Sequence, residues 1–394
     1  MRSPVALPAS VQETLSRRTS ALRLAVVTNI PAPYRVPVYN RIAADPDFEF
    51  LAIYAAQREP DRKWDLPTLE HRHVFLSERM IERGGRFIHH NPDVWGALAA
   101  FRPDVVVTTG FNPTHLIAWA YTLVHRCRHV AMTDGTDQSE AKLSVLHRLV
   151  RRLVFITSSS FVVASQGGRR LLRRYGVSDS RIHSSPLCAN TAVDWTEAGV
   201  AERDIDLLFS GRLVGIKNAG FALDVAAGVA TRLGRRVHLA LLGDGPLAPD
   251  LRRQAAALAD RVQVTFAGHV AQTEIPGWFM RSHLFLFPSQ WDPWGVVANE
   301  ACLAGVPVLV SPHAGVADEL VREGVNGRVL PLESSRWVEA AVELLSDQAI
   351  HARMAAAARE AVQPYNFDNA AFGITDAAAQ ACPRVHAPQR RSTL

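Results

Sequence analysis

The stretch "HLFLFPSQWDPWGVVANEACLAGVPVLVS" (283–311) reads as a strand, a loop, a helix, a glycine stop and a second strand. The apolar run "HLFLFPS" ends in Pro and Ser, and "QWDPWG" is rich in turn formers. "VVANEACLA" then has helical character up to Gly305, and "VPVLVS" resumes as a strand. A strand that returns to a strand through a helix implies a parallel sheet with crossover helices.

The same alternation extends in both directions. Upstream strand candidates are "LRLAVVTNI", "FEFLAIYAA", "PDVVVTTG", "HVAMTDG" and "FVVASQ"; nearer the centre and beyond it come "DIDLLFSGR", "HLALLGDG", "VQVTFAG" and "GRVLP". Each set predicts one doubly wound unit. The expected architecture is α/β: two Rossmann-like domains facing across a cleft, with ligands at the strands' carboxyl ends. Residues 21–190 are expected to form the first domain and 200–364 the second, with the boundary inside "SPLCANTAVDWTEAGVAERDID" (185–206), where periodicity is lost. Tails 1–20 and 382–394, without apolar period, are expected to be disordered.

A chain of 394 residues is comfortable for two domains, and its 48% hydrophobic content predicts a globular body. No apolar run reaches the ~18 residues of a membrane span, and residues 1–23 lack the apolar core of a signal peptide, so a cytoplasmic protein is expected. Cys127, Cys188, Cys302 and Cys382 are scattered without metal-like spacing, which favours reduced, buried thiols. Only Lys63, Lys142 and Lys217 are lysine in a chain with a net charge of +5, so a retained lysine invites a question.

The chemistry gathers around the opening stretch. The first amides of a helix beginning near Gly295, at Val296 and Val297, form a site for phosphate. Glu300 lies ~7 Å further along, about the distance from a diphosphate to its ribose, and a carboxylate there accepts two hydroxyl hydrogens. Asp292, in the loop before the helix, reaches the other way, toward a sugar. "SGRLVGIKN" places Gly211, Arg212 and Lys217 past another strand end, and this pairing of forked donor and point charge suits a diphosphate. In "LLGDGPL", Gly243 and Gly245 permit close backbone approach.

In "SGRLVGIKN", "LLGDGP", "FAGHV", the opening stretch and "GVADELVREGVNGRVLP", the chain resembles the retaining glycosyltransferases of the GT-B fold that carry a Glu, seven residues, Glu motif: glycosyl transferases group 1, family four. The resemblance runs from about residue 23 to 380. It implies that Arg212 and Lys217 bind the donor's phosphates, that Glu300 holds the ribose, and that Asp292 with Pro293, Trp294 and Gly295 handles sugar and phosphates. It places the base near Gly243, Gly268 and His269. It makes residues 365–381 a terminal helix crossing back to the first domain. The implied activity is transfer of a hexose from a nucleoside-diphosphate sugar, of UDP or GDP type, to a hydroxyl. The donor is a co-substrate and no further cofactor is implied. The expected setting is bacterial cell-surface or exopolysaccharide assembly, with a saccharide or lipid-linked saccharide acceptor.

This chain departs from that pattern in three places. Asp292 stands where the family has Glu. "TNIPAPYRVPVYN" replaces a glycine pair, which makes Tyr34 and Arg35 candidate acceptor or donor contacts. After "PDVVVTTG", Phe111 and Asn112 stand near the place where several relatives have a sugar-binding histidine.

Other signals have plainer explanations beside them. Asp204, Ile205 and Asp206 match a metal-binding Asp-x-Asp string, but at the strand end away from the cleft, so metal independence is expected. Asp134 in "MTDGTDQSE" is a candidate acceptor contact, and turn formation explains it equally well. "AKLSVLHRLVRRLVFI" (141–156) and "GGRRLLRRYG" are basic and apolar by turns. They fit a peripheral contact with anionic lipid at the inner face of the membrane, or, more simply, solvated helices packed by their leucines. Nucleic acid is disfavoured, because the basic clusters lack interleaved aromatics. Two other classes remain open: a sugar-nucleotide epimerase or hydrolase, which needs an acid/base pair in the cleft, and a non-catalytic nucleotide-sugar binding protein.

Overall fold

The structure is a computed structural model that describes residues 21–60, 62, 66, 68–83, 86–140, 143–189, 195 and 203–383. The expected tail 1–20, all of the expected tail 382–394 beyond residue 383, Lys142, and most of the expected domain boundary lie outside the described residues.

Alternation of buried strands with amphipathic helices builds the first half in chain order. It runs β1 (Leu22–Thr28), α1 (Val36–Ala44), β2 (Phe48–Tyr54), β3 (His73–Phe75), β4 (Met80–Arg83), β5 (Arg86–His89), α2 (Val94–Phe101) and β6 (Val105–Thr108). It continues with α3 (Pro113–His125), β7 (Arg128–Thr133), α4 (Val145–Thr157), β8 (Ser160–Val163), α5 (Gln166–Arg174) and β9 (Ile182–Ser184). Seven of these strands form a parallel sheet in the order β3-β2-β1-β6-β7-β8-β9, while β4 and β5 pair as a separate hairpin.

The second half follows as β10 (Ile205–Ser210), α6 (Ala219–Leu233), β11 (Val237–Leu242), α7 (Ala248–Ala256), β12 (Val262–Gly268), α8 (Ile275–Met280) and β13 (Ser282–Phe287). Then come α9 (Val296–Leu303), β14 (Val308–Val310), β15 (Gly327–Val329), α10 (Ser334–Ser346), α11 (Gln348–Ala361) and α12 (Phe367–Ala381). Its sheet is parallel in the order β12-β11-β10-β13-β14-β15. Both sheets start at the centre, wind outward, return and wind the other way, which is the Rossmann order and confirms the expected fold.

Helix α12 packs on the first sheet. Phe367, Ala370, Ile374, Ala377 and Ala378 share a core with Leu22, Leu24 and Val26. Small side chains let it come close, and a Cβ on Gly373 would overlap the Ser184 carbonyl at the end of β9. The halves also meet directly. Ala164 and Leu187 join the second half's core, and the Asn299 side-chain amide donates to the Leu187 carbonyl (3.1 Å). The Gln166 backbone N–H, at the start of α5, donates to the Glu319 carboxylate (2.9 Å).

The structure corrects one expectation here. The leucines of the basic helix α4 do not pack it onto the body: Leu146, Leu149 and Leu153 are exposed, and Val154 and Phe155 form its buried contact. A periodic pattern identifies an apolar face without saying what covers it.

Candidate functional site

In the second sheet, β10 and β13 lie side by side at the centre. The helix following β10, α6, packs on one face and that following β13, α9, on the other. The loops beyond these strands therefore diverge and leave a crevice, the position where open α/β sheets bind ligands. Three loops converge there. The Gln290 N–H donates to the Ile216 carbonyl (2.8 Å), the Asp292 N–H to His313 (3.2 Å), and the Gly315 N–H to Asp292 (3.0 Å). Lys217 forms an ion pair with Asp292 Oδ2, and Asp292 Oδ1 accepts from the Trp294 N–H (3.1 Å). Both carboxylate oxygens of Asp292 are thus engaged inside the protein, where they hold Lys217 in place.

Gly295 precedes α9 in the left-handed region (φ 104°), and a Cβ there would overlap the Phe287 ring. No side chain caps the helix. The Ala298 N–H turns back to the Gly295 carbonyl (2.9 Å), and the initial amides at Val296 and Val297 have no carbonyl within the helix to bond. Glu300, just over one turn in, is buried, and its Oε2 finds no hydrogen-bond partner among the described residues. Burial pushes its carboxyl up to about 8, so it is largely protonated at neutral pH. Ser289, beyond the end of β13, has a buried hydroxyl that also lacks a partner among the described residues. Sequence reasoning passed over Ser289, because a serine after a strand-ending proline looks like any turn residue. Leaving such groups unsatisfied costs roughly 1–3 kcal/mol each, so two of them at one crevice point to a ligand bearing hydroxyls.

The remaining donor-side candidates divide. Arg212 is exposed in the loop after β10, and His269 is exposed beside Gly268, whose missing Cβ faces open space. Gly243 and Gly245 do permit close backbone approach, and what approaches is the neighbouring loop. A Cβ at Gly243 would overlap the Gly211 carbonyl and one at Gly245 would crowd the Leu213 carbonyl, so these glycines lock one strand-end loop against the next. Trp294 differs. Its side chain is buried, donates to Asn299 Oδ1 (2.9 Å) and packs on Tyr365, which leaves only its backbone at the loop surface.

The first half's candidates are mostly committed to structure. Arg35 is buried, paired with Asp134 (2.7 Å) and bonded to the Ser185 hydroxyl (2.9 Å), so it braces the wall and is not offered to an acceptor. Tyr34 packs against the second half's core. Phe111 lies under Arg151 (4.3 Å) and against Phe155, while Asn112 donates to Asn29 (3.0 Å). A histidine does occupy this region. His115, in the first turn of α3, is buried beside Gly110, its Nε2 near Thr109 Oγ1 (3.4 Å), and burial pushes it down to about 3, so it is neutral. The metal-like string is occupied by arginines: Asp204 pairs with Arg281, and Asp206 with Arg235 (2.7 Å). A cavity of about 740 Å³ lies between the halves near Gln166, Glu319 and Tyr365, behind the donor-side loops, and none of Arg212, Lys217, Asp292 or Glu300 lines it. The candidate crevice is therefore singled out by topology and unsatisfied polar groups.

Comparison with known proteins follows the same division. Residues 195–361 match the family model of glycosyl transferases group 1, and residues 49–192 that of glycosyltransferase family 4. The alpha-D-kanosaminyltransferase of Streptomyces kanamyceticus is 28% identical over 228 residues, covering 57% of this chain and 52% of that protein. The chain thus spans about half the length of that relative. The D-inositol 3-phosphate glycosyltransferase of Xylanimonas cellulosilytica is 28% identical over 294 residues, 68% of each chain. The Anabaena protein HepE, solved in complex with UDP and glucose, superimposes with a TM-score of 0.67 at 18% identity, covering 90% of this chain and 98% of its own. At that identity the likeness speaks for the fold.

Proposed function

The chain belongs to the group 1, family 4 glycosyl transferases of the GT-B fold, and from that premise we propose that it transfers a hexose from a nucleoside-diphosphate sugar to a hydroxyl acceptor with retention of anomeric configuration. The observation that supports this best is the buried carboxyl of Glu300, whose Oε2 has no hydrogen-bond partner among the described residues, a little over one turn inside a helix with no side-chain cap among them. A ribose supplies two hydroxyl donors to that carboxyl, and the amides of Val296 and Val297 then face the diphosphate. The UDP and glucose bound by HepE support a nucleoside-diphosphate hexose, of UDP or GDP type, as donor.

In the proposed reaction the bond from the sugar's anomeric carbon to the diphosphate oxygen breaks, its electron pair leaving with the phosphate. The sugar passes through an oxocarbenium-like state. Lys217, held by Asp292, and Arg212 stabilise the charge that builds on the leaving group, as do the helix amides. The acceptor hydroxyl attacks from the same face, and its proton goes to the departing phosphate oxygen. No side-chain base and no metal enter this scheme. The acceptor is a saccharide or a lipid-linked saccharide in bacterial surface polysaccharide assembly, and the reaction takes place in the cytoplasm. An epimerase or hydrolase would need a titrating pair at the cleft, whereas His115 is held neutral and Asp134 is tied to Arg35.

Titration calorimetry with UDP, GDP, ADP and their hexose conjugates tests this reading. One diphosphate is expected to bind more tightly than ~1 mM, and its sugar conjugate to give an acceptor product with the donor's anomeric configuration by NMR coupling. Absence of any diphosphate binding, or turnover of the conjugate without acceptor, would refute it.

A further inference from the structure

Helix α4 carries apolar side chains in two opposed directions. Val154 and Phe155 enter the first half's core. Val145, Leu146, Leu149, Leu153 and Ile156 are between 50% and 78% exposed. At the α-helical turn these five fall within an arc of about 100° on the side away from the buried pair. The stripe continues onto the neighbouring helix. The Trp119 indole N–H on α3 donates to Thr157 at the end of α4 (2.8 Å), and the exposed Leu123 lies one turn beyond Trp119 on the same face.

The arginines of α5 are already paired, Arg170 and Arg174 with Asp137 and Arg169 and Arg173 with Asp179, whereas those along the α4 stripe face no acid on their own helix. Arg148 and Arg152 run along one border of the arc, and helices α3, α4 and α5 contain no aspartate or glutamate. Glu140, in the preceding loop, is buried and paired with Arg151 (2.7 Å). Five exposed aliphatics on one helix, beside arginines with no acid on that helix, are an interaction surface. We propose that this face docks on the anionic leaflet of a lipid bilayer, the aliphatic side chains entering the acyl boundary and the arginines meeting headgroup phosphates. A second copy of the chain fits less well. A two-fold contact through this helix would set arginines against arginines, with no acid on α3, α4 or α5 to pair them.

Docking in this way has a geometric consequence. Helix α4 starts after the loop that leaves β7 at the cleft edge, the loop carrying Asp134. The cleft rim then lies close to the headgroups, which on the transferase reading above suits an acceptor carried on a lipid.

The full-length chain should be sedimented with vesicles of phosphatidylcholine alone and of phosphatidylcholine with phosphatidylglycerol. Binding to the anionic vesicles only, weakened by raised salt, is expected. Leu149→Ser with Leu153→Ser should lower that partition at least tenfold, and Arg152→Glu should lower it severalfold. Circular dichroism should show all variants folded. An independent reading is a blue shift of tryptophan emission in Leu149→Trp on adding anionic vesicles. Failure of the unaltered chain to bind those vesicles, or equal binding by the folded leucine variant, overturns the proposal. So does a dimer in sedimentation equilibrium that the same leucine substitutions dissociate. Each readout is independent of sugar transfer, so failure here leaves the transferase reading standing, and the reverse.

Discussion

Glu300 is where the proposed ribose contact conflicts most plainly with stability. Its carboxyl is buried, its Oε2 lacks a partner among the described residues, and burial moves it from 4.5 to about 8. An acid raised in the folded state binds its proton more tightly there than when unfolded. Between about pH 4.5 and 8 the native state therefore holds the extra proton, and stability falls as pH rises through that window. Glu300→Gln removes this slope and should stabilise the ligand-free protein by roughly 1–3 kcal/mol at pH 8, measured by urea denaturation. The same substitution should weaken binding of the preferred diphosphate at least tenfold. In the unaltered protein that binding should release a proton below pH 8, seen as buffer-dependent heat in calorimetry. A variant that is less stable at pH 8, or that binds as before, would contradict this account. The type and spacing of Glu300 marked it in the sequence; its lack of a partner did not, because that depends on what the fold brings near it.

At the scale of elements, the strands that carry ligand loops were legible because they are continuous buried runs. "HLFLFPS" became β13 and "VVANEACLA" became α9 with little change of boundary. Strands β3, β4, β5 and β9 were not legible. β3 and β4 are mostly exposed, and β9 is a short Ile-His-Ser stretch with one buried residue, so none of these leaves an apolar run. Helix α12 offers a sharp test of packing. Replacing a helical glycine with alanine ordinarily stabilises by ~1 kcal/mol, yet at Gly373 the added methyl would overlap the Ser184 carbonyl. Gly373→Ala should therefore destabilise by roughly 1–3 kcal/mol, read as a lower denaturation midpoint. A rise in the midpoint would show that the helix is free to shift.

At the scale of the whole molecule, one polar contact between the halves involves a carboxyl shifted by burial. Glu319 accepts the Gln166 N–H at the start of α5, and burial pushes its carboxyl up to about 7 despite that bond and Arg170 nearby. Opening the halves would expose it, so the closed arrangement holds its proton more tightly and should loosen as pH rises from about 4.5 through 7. Glu319→Gln keeps an acceptor without a buried charge. It should flatten the fall in melting temperature between pH 5 and 8, and an unchanged slope would assign that fall to other groups. Taken alone, the sequence determined what local order can express: the strand–helix alternation, the two winding sheets, the turn chemistry at their carboxyl ends, and the residue types suited to a diphosphate and a ribose. Only the tertiary structure decided which charges are already engaged and which apolar faces are left uncovered. Lys217 meets Asp292 across 75 positions, Arg35 meets Asp134 across 99, Trp294 is buried, and the leucines of α4 are not. Periodicity is set by neighbours a few residues away, whereas pairing and burial are set by residues that become neighbours only when the chain has folded.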